Sequence, residues 1–272
     1  MKIGFIGTGA MGGAMLKGIH ARVGDARFFT FDKDAARLAE TATLFGATPC
    51  SGEAAVVTAS DVIFLAVKPV HMESVLKACA AVSLEGKLFI TLAVGLPLSL
   101  YTRFFGDAAK VVRTMPNTPA LIGEGITLFC CTPAVTKEER RTVVSLLEPA
   151  GLVEELEERL MSEVTAVTSS SPAFFFMMLE AMGDAAVQSG LPRASAYRWA
   201  AAAMAGSARL LLETGKHPGE LKDMVTSPAG TTIEGVAVLE QEGFRSAIIE
   251  AMGAVTRKAR AIGEAARARD EK

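Results

Sequence analysis

Two short stretches of this sequence have residue types and spacings suited to holding charged small molecules. The first is Gly7-Thr8-Gly9-Ala10-Met11-Gly12, which follows the apolar segment Lys2–Ile6 and leads into a run with helical spacing from Met11 to about Ala21. In a strand–turn–helix setting the three glycines have separate jobs. Gly7 permits the tight turn, Gly9 lets backbone N–H groups approach a pyrophosphate, and Gly12 lets the helix pack closely on the strand. The helix N-terminus adds partial positive charge. The loop, with Ile6, Thr8, Ala10 and Met11 around the glycines, reads as a dinucleotide cradle. The second stretch is Ser227-Pro228-Ala229-Gly230-Thr231-Thr232, a turn that opens a helix. One reading is an ordinary helix start, with proline and glycine setting the turn and threonine capping. The other is an anion site, in which free N–H groups of Gly230, Thr231 and Thr232 point out of the helix end. A carboxylate there gains roughly 0.3–2 kcal/mol from the helix dipole. The stretch Thr168-Ser169-Ser170-Ser171-Pro172 also reads as a loop that opens a helix and offers similar donors.

Further residues are set around the first site. Asp32 lies at the end of a second strand, Arg27–Phe31, and 20 residues beyond Gly12 (32 − 12), where an acid commonly bonds the adenine-side ribose of NAD. Lys33 beside it is suited to the 2′-phosphate of NADP. The two features oppose each other and leave NADH and NADPH both open. Val67-Lys68-Pro69 and Ala93-Val94-Gly95 fall at the carboxyl ends of two more strands, where open α/β sheets bind ligands. Arg113 through Pro119, with Asn117 inside it, is rich in turn formers and offers polar groups to the same cleft. The cysteines (Cys50, Cys79, Cys130, Cys131) lack metal-ligand spacing and the histidines (His20, His71, His217) are scattered, so no metal is assigned.

The elements that must position these residues fall into two halves. Strand signals at Lys2–Ile6, Arg27–Phe31, Asp61–Val67, Lys87–Ala93, Lys110–Thr114 and Ile126–Cys131 alternate with helix signals at Ala35–Phe45, Val70–Ala81, Leu98–Phe105 and Lys137–Pro149. Such alternation predicts a parallel sheet with helices on both faces. From about Met161 alanine-rich helical segments take over: Ala173–Ser189, Arg193–Thr214, Pro218–Val225, Thr231–Glu242 and Phe244–Arg269. The expectation is an α/β Rossmann-type doubly wound sheet over residues 1–161, followed by an all-α helical dimerisation domain over 162–272. Phe174-Phe175-Phe176-Met177-Met178 is apolar around the whole helix and needs cover on all sides. A subunit interface or the centre of a monomeric bundle meets that need, and the small helical half favours the interface.

Composition bounds the partners. Half of the 272 residues are hydrophobic and 21% are charged, enough apolar material for a substantial core. The net charge of −2 gives no reason to expect nucleic acid or an anionic membrane as partner. The mixed charges from Arg257 to Lys272 read as a solvated helix end. With no long purely apolar run and a glycine breaking the first strand so early, neither a membrane span nor a signal peptide is expected. A reducing, cytoplasmic setting is the default.

The chain as a whole resembles the pyrroline-5-carboxylate reductases. The residues that carry the likeness are the glycine loop at 7–12, Ala66-Val67-Lys68-Pro69, Met115-Pro116-Asn117-Thr118-Pro119, Ser170-Ser171-Pro172-Ala173 and, most specifically, His217 through Glu240 with Leu221-Lys222-Asp223 and Ser227–Thr232. The resemblance implies reduction of the cyclic imine 1-pyrroline-5-carboxylate to L-proline with NADPH or NADH, the last step of proline biosynthesis. It implies a helical domain that interlocks with a second subunit, and dimers that assemble into decamers in some members. It also implies roles: Thr232 hydrogen-bonds the imine nitrogen, Gly230 and Thr231 grip the substrate carboxylate, and Glu158 falls where some members place a substrate-contacting acid, with Ser170 in the serine block. Ala229 and Ser169 stand where glycine is usual, and Met224 where some members have asparagine. At Ala229 a methyl group would narrow the turn, but alanine can occupy most turn positions. Two other readings share parts of the pattern. A β-hydroxyacid dehydrogenase or imine reductase has the same two-domain plan, but the hydroxyacid enzymes rely on a lysine that the Ser170–Phe176 region lacks. A dinucleotide sensor keeps the glycine loop but has no use for the Thr231-Thr232 helix end.

Overall fold

The computed structural model describes residues 1–270; residues 271–272, the end of the charged tail, lie outside the described residues. The chain divides into two compact units, residues 1–170 with 255–272, and residues 171–254.

The first unit is built on one sheet. Its strands are β1 (Lys2–Ile6), β2 (Arg27–Phe31), β3 (Thr48–Pro49), β4 (Val62–Leu65), β5 (Leu88–Thr91), β6 (Lys110–Pro116), β7 (Gly125–Cys131) and β8 (Gly151–Glu155), in the order β3-β2-β1-β4-β5-β6-β7-β8. All neighbours run parallel except β6 and β7. The antiparallel β7 departs from the expected parallel pattern. The short connection between β6 and β7, a 3₁₀ turn at Thr118–Ile122, is far too brief for the crossover that a parallel pair needs. Order reverses between β1 and β4, which makes the end of β1 the switch point at which such sheets hold ligands.

Helices α1 (Ala10–Arg22), α2 (Ala35–Phe45), α3 (Glu53–Ala59), α4 (Met72–Cys79), α5 (Leu98–Phe105) and α6 (Lys137–Leu147) cover the sheet. Strand side chains alternate between its faces, and two cores result. On one face Phe5, Phe64, Ile90 and Val112 pack with Met15, Leu16 and Ile19 of α1 and Val143 and Leu147 of α6. On the other Ile6, Ile63, Leu65 and Phe89 pack with Val56 of α3, Leu76 of α4 and Tyr101 of α5. Phe5 and Phe64 stack with ring centroids 4.6 Å apart. The central strands β4 and β5 are buried throughout, which is why they read as continuous apolar runs. At the β7–β8 start two backbones nearly touch. Gly125 pairs with Gly151, and a Cβ on Gly151 would lie 2.0 Å from the Gly125 carbonyl oxygen.

The second unit contains α7 (Ser171–Gln188), α8 (Arg193–Thr214), α9 (Pro218–Val225), α10 (Thr231–Gln241) and the first part of α11 (Phe244–Asp270). It has no strand among the described residues. Thr168–Pro172 is not a loop. A π-helical turn, Ala166–Ser170, runs straight into α7, with the Thr165 and Thr168 hydroxyls bonding back to the carbonyls of Met161 and Val164. The backbone N–H groups of the serine block therefore belong to a helix interior and not to a helix start.

Candidate active site

The glycine loop sits where its sequence predicts. Gly7 has φ +91°, and a Cβ there would lie 2.8 Å from the Ala66 carbonyl oxygen. A Cβ on Gly12 would lie 2.5 Å from the Gly7 oxygen. Both positions require glycine on packing grounds. Gly9 differs: its nearest neighbour would be an Arg37 guanidinium nitrogen at 3.6 Å, so the space above its backbone is open. Gly9 is also the N-cap of α1, no side chain bonds into that cap, and the first turn carries no acid. Uncapped N–H groups facing open space beside the switch point form the cradle a pyrophosphate needs.

That space is a cavity of about 650 Å³. Its lining includes Ile6, Gly7, Gly9, Ala10 and Met11 from the loop, Asp32 and Lys33 after β2, Val67, Lys68 and Pro69 after β4, and Ala93 after β5. Four separate chain ends predicted from sequence thus meet in one place. Arg37, Glu53 and His71 line it as well and were not anticipated. Arg37 carried a usable signal, a cation in the first turn of the helix that follows the acid.

Thr8 and Gly12 support this cavity without lining it. Thr8 is 7% exposed, and both its N–H and its hydroxyl donate to Asp32 Oδ2, at 2.7 and 3.0 Å. Burial by itself would raise the Asp32 carboxyl. The N–H bonds from Thr8 and Asp34, the Thr8 hydroxyl and the nearby Arg37 charge outweigh it and hold the group below its ordinary value. Asp32 is therefore a carboxylate at neutral pH.

Asn117 lies elsewhere. Its amide donates to the Thr168 carbonyl at 3.1 Å and accepts from the Ile126 N–H at 2.9 Å, bracing the π-helical turn against the start of β7. Glu158 is also committed locally. Its Oε1 accepts from the Leu98 N–H at 2.7 Å and from Arg113 Nη1 at 2.9 Å, so it caps α5 and neutralises an arginine whose side chain is only 11% exposed. Glu158 lines a different cavity of about 640 Å³, together with Leu98, Thr102, Cys130 and Cys131. Ser170 is half-buried, and the neighbouring Ser169 hydroxyl is buried without a partner among the described residues. All four cysteines are free thiols; burial pushes Cys79 and Cys130 up to about 12 and Cys131 up to about 11, leaving them unreactive at neutral pH.

In the helical unit, Ser227–Gly230 forms a tight turn. The Gly230 N–H donates to the Ser227 carbonyl at 3.1 Å, so Gly230 does not offer a free donor as its place at the helix start had suggested. Ala229 occupies the third position of that turn with φ +54°, the sole non-glycine at positive φ among the described residues. Proline second and a left-handed residue third define a type II turn, which favours glycine at the third place. Of the two readings of Ala229, its positive φ favours the one in which the methyl group burdens the turn. A Cβ on Gly230 would lie 2.3 Å from Ser227 Oγ and 3.2 Å from the Ser227 carbonyl oxygen, so a side chain at the fourth place would force the serine hydroxyl aside. Gly230 caps α10 with no side-chain bond, and Thr231 and Thr232 head the helix, Thr231 exposed and Thr232 half-buried. The start of α10 thus has no side-chain cap, and its first turn carries one acid, Glu234.

A doubly wound sheet with a glycine-loop cavity at its switch point defines a Rossmann-type dinucleotide-binding protein. Comparison with known proteins narrows that class. Residues 2–95 match the family model described as NADP oxidoreductase coenzyme F420-dependent, and residues 158–262 match that described as pyrroline-5-carboxylate reductase dimerisation. A pyrroline-5-carboxylate reductase of Escherichia coli K12 is 44% identical over 92% of this chain and 94% of its own length. The structure of a pyrroline-5-carboxylate reductase from Coxiella burnetii superimposes with TM-score 0.90 at 30% identity, covering 96% of this chain and 97% of the other. That of the Plasmodium falciparum pyrroline carboxylate reductase, crystallised with NADP bound, gives TM-score 0.85 at 28% identity, covering 97% and 98%. This chain belongs to the pyrroline-5-carboxylate reductase family.

Proposed function

We propose that this chain reduces 1-pyrroline-5-carboxylate to L-proline with a hydride from NADPH or NADH, as the last step of proline biosynthesis. The observation that carries the reading is the pairing of two built features on one chain: the open cradle at Gly9 with its cavity, and the uncapped start of α10 behind the Ser227–Gly230 turn. The kinship to the Escherichia coli enzyme supports the substrate assignment. When bound, the nicotinamide cofactor supplies the hydride. Ile6, Gly7, Thr8, Gly9, Ala10, Met11 and Gly12 form or support its pyrophosphate site, Asp32 and Lys33 meet the adenine-side ribose, and Val67, Lys68, Pro69 and Ala93 complete the shell, while Asn117 braces the structure behind it. Thr231 and the helix end hold the substrate carboxylate, with Ser170 as a further contact and Gly230 closing the turn behind them, and the Thr232 hydroxyl hydrogen-bonds the imine nitrogen. A protonated imine already activates its carbon, so the residues have mainly to orient two ligands.

The division of labour follows the two halves of the sequence, with residues 1–161 binding the dinucleotide and 162–272 binding substrate and dimerising. The chain works as a homodimer, assembled further into a decamer, in the cytoplasm. No helix among the described residues is long and apolar enough to cross a membrane.

The test is loss of reduced-nicotinamide absorbance with 1-pyrroline-5-carboxylate, run with each cofactor. Turnover is expected with the wild type, and Thr232→Ala lowers kcat/KM roughly hundred- to thousandfold, the scale for a positioned proton donor. The carboxylate-free 1-pyrroline is turned over poorly. Equal turnover of the two imines removes the helix-end carboxylate site, and an unchanged Thr232→Ala removes that hydroxyl from the reaction.

A further inference from the structure

We propose that Asp32 makes this chain select NADH over NADPH, by accepting a hydroxyl of the adenine-side ribose and repelling a phosphate placed there. The proposal rests on the nicotinamide reading of the glycine-loop cavity, and it concerns that site alone.

The carboxylate is anchored. The Gly7 N–H donates to the Phe31 carbonyl at 2.8 Å, which ties the glycine loop to the end of β2 just ahead of Asp32. Thr8 holds Oδ2 through two bonds and the Asp34 N–H holds Oδ1 at 2.9 Å. A carboxylate has about four acceptor positions. Three are filled by the protein, and one is left for a ligand hydroxyl. Swinging the side chain away would strand the N–H and hydroxyl of the buried Thr8, which carries the cost of an unmade hydrogen bond. The negative charge on the cavity wall therefore stays in place whichever cofactor arrives.

The nearby cations do not offset it equally. Arg37 Nε lies 3.5 Å from Asp34 Oδ2, and Asp34 also caps α2 through the Ala36 and Arg37 N–H groups. Its charge is already shared with a neighbouring acid. Lys33 is exposed, and a solvated lysine reaching for a phosphate gives only a weak, salt-screened contact. Glu53 adds a further acid to the lining. A 2′-phosphate carries a charge of about −1.5 to −2 and meets a fixed carboxylate first.

The experiment is calorimetric binding, without imine, of NADH, NADPH, 5′-AMP and 2′,5′-ADP to the wild-type chain and to Asp32→Asn and Asp32→Ser. The wild type is expected to bind NADH over NADPH, and 5′-AMP over 2′,5′-ADP, by roughly ten- to hundredfold. Asp32→Asn keeps an oxygen for Thr8 while removing the charge, and narrows the ratio; Asp32→Ser narrows or inverts it. Equal wild-type binding of the two adenine nucleotides overturns the proposal without any variant. An unchanged ratio in a folded Asp32→Asn overturns it as well. Normal NADH selectivity with no imine turnover leaves this proposal standing and sinks the reductase reading instead.

Discussion

The two units solve the problem of stability differently. In the sheet unit Ile3, Phe5, Leu16, Phe64, Leu65 and Val112 are all 0% exposed, and two cores sandwich the sheet. In residues 171–254 the buried residues are Pro172, Gly183, Ala196 and Ala200, none of them large. Meanwhile Phe175, Phe176, Met177 and Leu212 stand 50% to 76% exposed. A segment of this size that hides so little apolar surface cannot offset its own conformational entropy. The sheet unit has a core of its own. The helical unit has the material for one, turned outward, as the all-round apolar run at 174–178 implied. Residues 158–262 match a dimerisation family, which supports oligomerisation through this part of the chain, and a second copy is the cover proposed for it.

The largest effect should come from breaking that cover. Phe176→Asp with Met177→Asp is expected to dissociate the assembly and abolish turnover while the sheet unit still binds NADH, read by light scattering and calorimetry. A wild-type oligomer that persists in this variant would mean that the helical unit is stabilised another way. The melting of the helical elements should also rise with protein concentration, and that of the sheet should not.

A smaller effect sharpens the contrast from within one helical unit. Gly183 on α7 lies against Tyr197 of α8, and a Cβ there would come within 2.2 Å of the tyrosine ring. Arg193, itself paired with Asp184, holds the Tyr197 hydroxyl at 3.0 Å and restrains the ring. Gly183→Ala should cost about 1–3 kcal/mol by overpacking, measured by denaturant unfolding. An unshifted midpoint would show that the α7–α8 contact contributes little, and that the unit's stability lies wholly between subunits.

The smallest concerns Ala229. Left-handed backbone costs a non-glycine residue roughly 1–2 kcal/mol, and glycine gives back about 0.4–1 kcal/mol through the freer unfolded chain. Ala229→Gly should therefore stabilise by about 0–1.6 kcal/mol. Its clearer readout is a lower KM for the imino acid with kcat little changed. A destabilised variant would mean that the turn is not strained.

These cases also mark how far the sequence could be read. The β1–glycine loop–α1 segment was legible because three glycines at fixed spacing each answer a separate steric demand. The buried strands β4 and β5 and the long helices showed in their apolar patterns. The two-residue β3, the short α3 and the half-exposed edge strand β8 went unread, since none carries enough periodic residues to register. The direction of β7 is not a property of its own residues but of the brief connection before it. At the site, Asp32 was visible as an acid at the right distance, but not its three-bond anchorage, two bonds of which join residues 24 apart. Likewise nothing local to Thr168–Pro172 separates a helix start from a π-helical turn, and the Ala229 strain exists only once the Gly230 N–H turns back to Ser227.

The joint between Gly125 and Gly151 has a consequence for how this chain can vary. A side chain on Gly151 has no volume to enter, and one on Gly125 would meet the Ala120 backbone nitrogen at 2.6 Å. Neither clash is relieved by trimming a neighbour, because the obstacles are main-chain atoms. In a library that randomises both positions and selects for folded protein, survivors should carry glycine at each. The exposed Leu121 and Ile122 in the turn before β7 should meanwhile drift freely. The two behave as a fixed hinge-pin in sequence space, with no single-step path around it.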